Sequence, residues 1–494
     1  MATEIHAFLL QFDPLVVLTS VGMSWVFANL IYAFATSRLH PPSKKQNIPP
    51  VSPHRWPLIG SLQFLISPWL FAQDSVKSLD STIFSFNLTD RLFITMVGEN
   101  LRKWMFEAGK QFDLEAGHRA LVGIPDPDKG IANETLDNAE AKIPIKRLVA
   151  MIRPDKLEAA LPQFLEDIDK YFQALPDEGI MDPEISENEP RLRKVARLFL
   201  QLESPVGASG ILFPWIPSPA KIMRTIAGAR LYFIFKGIIS NRRKTGVVEE
   251  DPLQFLLSCG DDEMTIVKTV LGTLFAGQTN SGILIGYTTV LMLQNPSVLA
   301  QARKEIIDLS LPYRDVSNST VDALKGVPLR EWEDGLETID LALKEGIRLF
   351  LTGHAYRQNI GSDCPLQVED KLYTLPHKAI LAYPLADVHM DPNIYPNPMD
   401  FDISRYSRGE GSSIPYGYLG WGMGRHPCLG MRLAKLLEKL VTAFFIANFD
   451  LEVVTKTGEP SDFVPRPDVR VQGTRPPNAQ ERAKCHIKYR KVKS

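Results

Sequence analysis

One loop constrains this chain more than any other feature: Trp421-Gly-Met-Gly-Arg-His-Pro-Cys428-Leu-Gly430. It sets one of only four cysteines among glycines and opens directly into an amphipathic helix. Glycine lets a backbone turn where a Cβ would forbid it and press close to a flat neighbour. A helix starting behind Cys428 aims its unpaired N–H groups and positive dipole end at the sulfur, which favours the thiolate. Zinc is the first alternative ligand, but it takes four groups, usually in two close pairs. His426 and Cys428 would make one pair and no second pair is suitably spaced. Cys259 and Cys364 stand alone, and Cys485-His486 lies in a basic tail. The other alternative is a small buried hydrophobe.

A thiolate is also the axial ligand that pushes electron density into haem iron and favours O–O cleavage. In this loop the chain resembles the cytochrome P-450 superfamily of haem-thiolate enzymes. Gly422, Gly424, Cys428 and Gly430 fall where that family has them, and Trp421 stands where it usually has Phe. The resemblance implies a mainly α fold with minor β, the cytochrome P-450 fold, with haem b bound through Cys428. It also implies partners for the haem propionates, which need basic groups of fork geometry. Arg357 and His426 match such positions, and Arg425 could help or be solvated surface. A further basic residue is expected from a helix in the first third; Lys142, Lys146 and Arg147 are candidates without a choice among them. Glu345-Gly-Ile-Arg348 puts opposite charges three apart on a helical face. With Arg405 in Pro398-Met-Asp-Phe401-Asp-Ile-Ser-Arg405-Tyr406 it resembles the family's charge network that braces the proximal side of the haem. That role is structural, because a buried Arg is tolerable only with partners.

Length and composition fit one large enzyme fold or two to three ordinary domains. The 494 residues are 45% hydrophobic and 23% charged, with net charge -2, so there is no electrostatic footprint for nucleic acid. Four scattered cysteines argue against a disulfide framework and suit the cytosol. The N-terminus departs from the average. Pro14 to Ser37 carries no charge and has about the length that spans a bilayer, while Arg38, Lys44, Lys45 and Arg55 follow it. The organisation read from this is a short lumenal segment (1–13), a transmembrane anchor (14–37), a proline-rich hinge (38–57) and a cytosolic catalytic domain (58–494) at the endoplasmic reticulum. A cleaved signal peptide would have a shorter run with basic residues before it. Microsomal members of the family share the order anchor, hinge, then a segment like Trp56-Pro-Leu-Ile-Gly60. Sequons at Asn87, Asn133 and Asn318 would then be cytosolic and read as chance.

Further along, Thr82–Val97 reads as a hairpin broken at Asp90-Arg91, and Ala159–Ala174 as a helix. Phe213-Pro-Trp-Ile-Pro-Ser-Pro219 is a proline-broken loop that fits a membrane-facing channel or an ordinary buried loop. Met264–Gln294 reads as the longest helix, uncharged from Thr269 and therefore a buried spine, too rich in small and polar residues for lipid. After helix-rich sequence to Leu351 come strands and loops over Tyr356–Tyr406, the cysteine loop, a helix from Gly430 to about Ala447, and a closing strand at Phe449–Val454.

In the family the long helix crosses the distal face of the haem. Its usual run is a small residue, Gly, a variable residue, an acid and Thr. Here it is Ala276-Gly277-Gln278-Thr279-Asn280-Ser281, with Thr279 at the acid position and Asn280 in place of the Thr. Gly277 leaves room for a small ligand. Asn280 can hydrogen-bond one but is a poorer proton relay than a hydroxyl, for which Thr279 or Ser281 could substitute. The segment is similar to the steroid 7α-hydroxylase and prostacyclin synthase branch, which contains monooxygenases and an isomerase. The resemblance thus implies a monooxygenase that inserts one atom of O2 into a hydrophobic substrate such as a terpenoid, steroid or alkaloid, in specialised metabolism. An isomerase that rearranges a peroxide without a reductase, and a non-catalytic haem sensor, are the rivals. With no flavin domain of its own, the chain would take electrons from NADPH-cytochrome P-450 reductase. The helix after Cys428 shows an inner stripe (Leu433, Leu437, Leu440, Phe444) and an outer basic stripe (Arg432, Lys435, Lys439), which fits a reductase dock or a solvated face.

Overall fold

The computed structural model describes residues 47–56, 60–119, 143–183, 190–203, 218–249, 251–315, 319–466 and 479–492. The expected anchor, the Trp215 loop and Lys142 lie outside them. Among the described residues no single helix is long and apolar enough to cross a membrane. Helices dominate and sheet is minor.

The helices that matter below are α1 (Pro68–Leu79), α2 (Glu99–Glu107), α3 (Leu114–Arg119), α4 (Ile143–Met151), α5 (Pro154–Gln173) and α6 (Pro219–Thr245). They continue with α7 (Glu263–Gly277), α8 (Ile283–Leu293), α9 (Pro296–Ser310), α10 (Leu329–Asp334), α11 (Glu337–Phe350) and α12 (Met431–Asn448). The strands are β1 (Ile83–Leu88), β2 (Arg91–Met96), β3 (Phe112–Asp113), β4 (Glu178–Met181) and β5 (His354–Asn359). After them come β6 (Cys364–Val368), β7 (Lys371–Leu375), β8 (Ile380–Pro384), β9 (Phe449–Val454) and β10 (His486–Lys491).

The chain divides into two compact units. The first comprises Met1–Met96, Gly109–His118 and Tyr356–Ala382. Its sheet has the order β1-β2-β8-β5-β3. The expected hairpin is present: β1 and β2 are antiparallel with Phe86 opposite Phe93 and Leu88 opposite Arg91. The tight turn holds Thr89 at φ 55, its hydroxyl donating to the Leu88 carbonyl at 2.7 Å. Phe86 of β1 packs into an aromatic cluster, meeting Phe64 at 4.7 Å, Phe71 of α1 at 4.9 Å and Phe93 of β2 at 5.2 Å. Each such aromatic pair adds about 0.5–1.5 kcal/mol beyond its buried area. The sheet thereby carries β5 and Arg357 on a rigid floor.

The second unit comprises Val97–Ala108, Arg119–Ala355 and Tyr383–Ser494. Its core packs α5, α8, α11 and α12, with Phe172 stacked on Phe445 at 5.3 Å. A Cβ on Gly346 would lie 2.4 Å from the Thr288 hydroxyl, so α8 and α11 approach closely only because that residue is glycine. Two expectations are corrected here. Phe449–Val454 is not the closing strand: β10 pairs antiparallel with both β4 and β9, and Cys485 at its head is buried. Alternation within the basic tail drives this, since Ile487 and Tyr489 turn inward while Arg490 stays exposed. Nor is Lys439 on an outer stripe. From Leu436 onward α12 is enclosed, and Lys439 is 2% exposed with its Nζ 2.9 Å from Asp340.

The long helix is α7, a π-helical segment Gln278–Gly282, and α8 in succession. Its α8 part is buried as a spine, but its middle is not: Gly272, Ala276, Gly277, Asn280 and Gly282 are exposed. A Cβ on Gly272, Gly277 or Gly282 would meet nothing within 4 Å. Small side chains leave space that an apolar spine would fill.

Burial also isolates Glu438, one turn before Thr442 on α12. Neither carboxylate oxygen has a protein partner among the described residues, and burial, with the nearby Asp340 charge, pushes its pKa from the usual 4.5 up to about 8. The folded state therefore holds a proton that the unfolded chain releases, and stability falls as pH rises from about 4.5 to about 8. Glu438→Gln is expected to flatten that fall. Thermal unfolding at half-unit steps from pH 5 to 9 measures it; a variant Tm profile parallel to the wild type would refute the assignment.

Candidate active site

The cysteine loop is fixed by backbone bonds before any side chain acts. The Gly422 N–H donates to the Leu419 carbonyl at 3.0 Å, and the Cys428 N–H to the Trp421 carbonyl at 2.6 Å. Gly422 and Gly424 take φ 65 and 63, where L side chains are strained. A Cβ would also lie 2.4 Å from the His426 carbonyl oxygen at the first and 2.0 Å from that of Phe106 at the second. So α2 is laid directly against the loop. Trp421 is half-buried against the core and Gly430 faces open space. Cys428 is exposed at the head of α12. Burial pushes its thiol up, and hydrogen bonds from the Gly430 and Met431 amides pull it back down. The helix start does support the sulfur as expected, but burial outweighs it; a metal bound there would supply the remaining pull, since coordination deprotonates a thiol outright.

The charge network is assembled as the spacing suggested, with more members. Glu345 accepts from Arg348 at 2.7 and 2.8 Å and from Arg405 at 2.8 Å, all three side chains being fully buried. Sequence reasoning missed Glu410, which accepts from Arg405 Nη1 at 2.7 Å and from Arg408 Nε at 2.7 Å. It also missed Tyr406, whose hydroxyl donates to Glu345 at 2.9 Å, and Tyr395, whose ring lies 4.9 Å from the Arg348 guanidinium. His389 links network to loop. Its carbonyl accepts from Arg348 at 2.8 Å, and its Nε2 accepts the Leu419 N–H at 3.1 Å. Burial and the Arg348 charge push this imidazole down to about 3, which keeps Nε2 free of a proton and able to accept.

On the long helix the Asn280 amide donates to the Ala276 carbonyl at 3.1 Å. The side chain thus satisfies backbone beside the π segment, where the regular ladder is interrupted. One N–H and the amide oxygen have no partner among the described residues. Ser281 is half-buried; the side chains of Gln278 and Thr279 lie outside the described residues.

Comparison with known proteins decides the family. Residues 181–476, more than half of the chain, match the family model "Cytochrome P450". The chain belongs to the cytochrome P450 family. Haem held by a cysteine thiolate comes with that membership, and the chain is an oxidoreductase that incorporates oxygen from O2. It is similar to cytochrome P450 monooxygenase AacuE of Aspergillus aculeatus, 28% identical over 451 residues that cover 85% of this chain and 89% of the relative. The sterol 14-demethylase of Arabidopsis thaliana is 26% identical over 87% of this chain and 90% of its own. A retinoic acid-bound cyanobacterial CYP120A1 shares the fold, with TM-score 0.66, 21% identity and coverage of 91% of this chain and all of the other.

An accessible thiol with two amides at its back, on a loop that only glycine can follow, suits the P450 haem. Of the other expected contacts, Arg357 is buried on β5, with Nη1 donating to the Tyr356 carbonyl at 2.8 Å. Arg425 and His426 are exposed on the loop. Among the basic residues of the first third, Arg147 on α4 is committed to Asp261 through two bonds of 2.7 Å, and Lys146 points to solvent. The stripe on α12 is largely neutralised: Arg432 is paired with Glu333 of α10 at 2.7 Å, and Lys435 and Lys439 with Asp340 of α11.

Proposed function

We propose that this P450 is a haem-thiolate monooxygenase of a hydrophobic small molecule, with Cys428 as the thiolate that would hold the haem iron. The observation that carries it is the exposed Cys428 sulfur, backed by the Gly430 and Met431 amides and braced through His389 by the Glu345–Arg348–Arg405 network. Bound haem supplies O2 activation. The chain's own part is to hold it and to govern water and protons. His426, with Arg425 next to it in the loop, would hold a haem carboxylate, and Arg357 on β5 is a further candidate for that role. Gly422, Gly424 and Gly430 keep Cβ atoms out of the way, and Trp421 shields the sulfur.

Across the site, the exposed small-residue face at Gly272, Ala276 and Gly277 receives an apolar substrate. Terpenoid, steroid and alkaloid skeletons fit that chemistry; the Arabidopsis relative's name carries a sterol. Gly277 leaves room for a small ligand. Asn280 holds water by its free amide atoms, and Ser281 or Thr279 passes the proton. The uncharged 14–37 run anchors the protein in the endoplasmic reticulum membrane, lumenal before it, with the 38–57 hinge and the catalytic domain from 58 on the cytosolic side. Ile222, Met223, Ile226 and Phe233 are exposed on α6 and favour a second membrane contact. NADPH-cytochrome P-450 reductase docks at the partly exposed Arg432 and Lys435, while Lys439 is too buried to meet it.

The test feeds lipophilic metabolites to reductase-containing microsomes under 18O2 and reads product mass, NADPH and hydrogen peroxide together. One labelled oxygen per product is expected. In Asn280→Ala, substrate binding holds while product per NADPH falls about tenfold, within the range a positioned proton carrier contributes. Full coupling in that variant would remove Asn280 from the relay. Product without NADPH or reductase would favour a peroxide isomerase, the second reading that Asn280 supports. Ligand binding without any turnover would leave a sensor.

A further inference from the structure

We infer that Tyr416 is a positioning residue for Cys428, which it serves by holding the end of α2 against the cysteine loop. The route is separate from the one through His389, and all its residues belong to the second unit.

One tight turn ahead of the loop has an unexpected occupant. The Gly417 N–H donates to the Ile414 carbonyl at 3.1 Å and closes the turn Ile414-Pro415-Tyr416-Gly417. Pro415 takes the second position, and Tyr416, at φ 57, takes the third. That is the pattern of a type II turn, whose third position calls for Gly or Asn. A tyrosine there is strained, because its Cβ crowds the left-handed backbone, and such strain persists only where the surroundings over-determine it.

The surroundings do so from two sides. The Gly417 carbonyl accepts from the buried Tyr395 hydroxyl at 2.8 Å. The Tyr395 ring in turn lies 4.9 Å from the Arg348 guanidinium and 5.9 Å from that of Arg405. The buried charge network therefore fixes the turn. On the other side the Tyr416 ring stacks on Phe106 at 6.0 Å and 18°, and its hydroxyl donates to Glu107 at 3.1 Å. Phe106 also meets Tyr383 edge-on, at 6.0 Å and 76°. A side chain gripped by two tyrosines holds its backbone in place, and the Phe106 carbonyl is the group that a Cβ on Gly424 would strike. The head of α2 is pinned independently, since Asp387 accepts from the Gly98 N–H at 2.9 Å and from the Tyr383 hydroxyl at 2.6 Å. Tyr416 closes the remaining end. Glycine at this position would relieve the backbone and lose both contacts with α2, so the side chain is what the strain secures.

The experiment uses the intact holoprotein and reads two signals. One is hydrogen exchange at the Cys428 amide, which is bonded to the Trp421 carbonyl. The other is the rate at which the thiolate band of the reduced carbon monoxide complex decays to that of a protonated thiol. In Tyr416→Gly both are expected to rise about tenfold, the upper range for one lost aromatic contact. Tm should change little, because the relieved left-handed backbone offsets the lost ring. Tyr416→Phe keeps the stack and should behave as wild type. Phe106→Leu removes the stack from the α2 side, should give the same tenfold rise, and decides the matter if the glycine variant folds poorly. Wild-type exchange and band stability in the folded variants would overturn the proposal. So would a rise in exchange spread evenly over the second unit with a lower Tm, which is what mere structural damage does. Only the spectral signal rests on the haem reading above. A wild type without the thiolate band would overturn that reading and leave exchange at Cys428 to decide the role of Tyr416.

Discussion

Cys428→Ala is expected to abolish the red-shifted Soret band of the reduced carbon monoxide complex and to lower turnover by at least about a thousandfold, ~4 kcal/mol of barrier. The fold should survive. Cys428 is exposed, so the change opens no cavity. The bond that shapes the loop runs from its backbone N–H to the Trp421 carbonyl and is kept by alanine. What disappears is the acceptor for the Gly430 and Met431 amides and the only thiolate in the glycine loop. Those amides face solvent-accessible space, so their loss costs about 1 kcal/mol or less of stability. The pairing of an intact far-ultraviolet spectrum with a missing thiolate band is the diagnostic result. A variant that kept the band would assign the iron to another cysteine.

The second large effect is structural. Glu345→Gln is expected to cost about 3–5 kcal/mol, because it leaves two buried guanidinium groups facing a neutral amide. Arg348 and Arg405 are both fully buried, and Glu345 is the only carboxylate that Arg348 touches among the described residues. Glu410 still serves Arg405, so Arg405→Met should be the milder change. Arg348→Lys should be nearly as damaging as Glu345→Gln. One ammonium cannot reproduce bonds to Glu345, His389, Pro398 and Asp400 at once. The damage should reach the haem through His389, whose carbonyl loses Arg348 and whose Nε2 holds Leu419 at the foot of the loop. Haem bound per folded protein and Tm are the two readouts. A Glu345→Gln protein with wild-type Tm and full haem content would show that the network is not a brace.

Much of the site was legible because its parts are local. Glycines six and four residues before a cysteine, and one two after it, announce a loop that must avoid Cβ atoms, and φ 65 and 63 with 2.4 and 2.0 Å approaches bear that out. Glu345 and Arg348 are three apart on one turn, so their bond is written in the helix itself. Glu410, Tyr406 and His389 were not legible. Tyr406 reaches Glu345 across 61 residues and His389 reaches Arg348 across 41, while Glu410, five beyond Arg405, sits in a loop whose path no periodicity reports. Their only signal was composition, buried-type aromatics and acids clustered after Tyr383. The α12 stripe misled for a related reason. Helical spacing places Lys439 opposite Leu437, but α5, α9 and α11 close around the helix, and the lysine stem is buried with its charge on Asp340. The long helix misled in the other direction, its uncharged middle being small enough to stay open.

The sequence by itself therefore determined what one turn or one loop can enforce: the glycine-cysteine loop, the i,i+3 ion pair, the hairpin, the order of helices and the family. Tertiary structure alone decided which charges pair, which face of a helix is buried, and where Gly117 meets Arg357. The reason is range. Steric limits on φ and ψ and the pitch of a helix act within a few residues and leave a pattern in the chain. Desolvation and charge pairing act between whichever segments the fold brings together, and a pair such as Gly117 and Arg357, 240 positions apart, carries no mark of its meeting until the backbones touch.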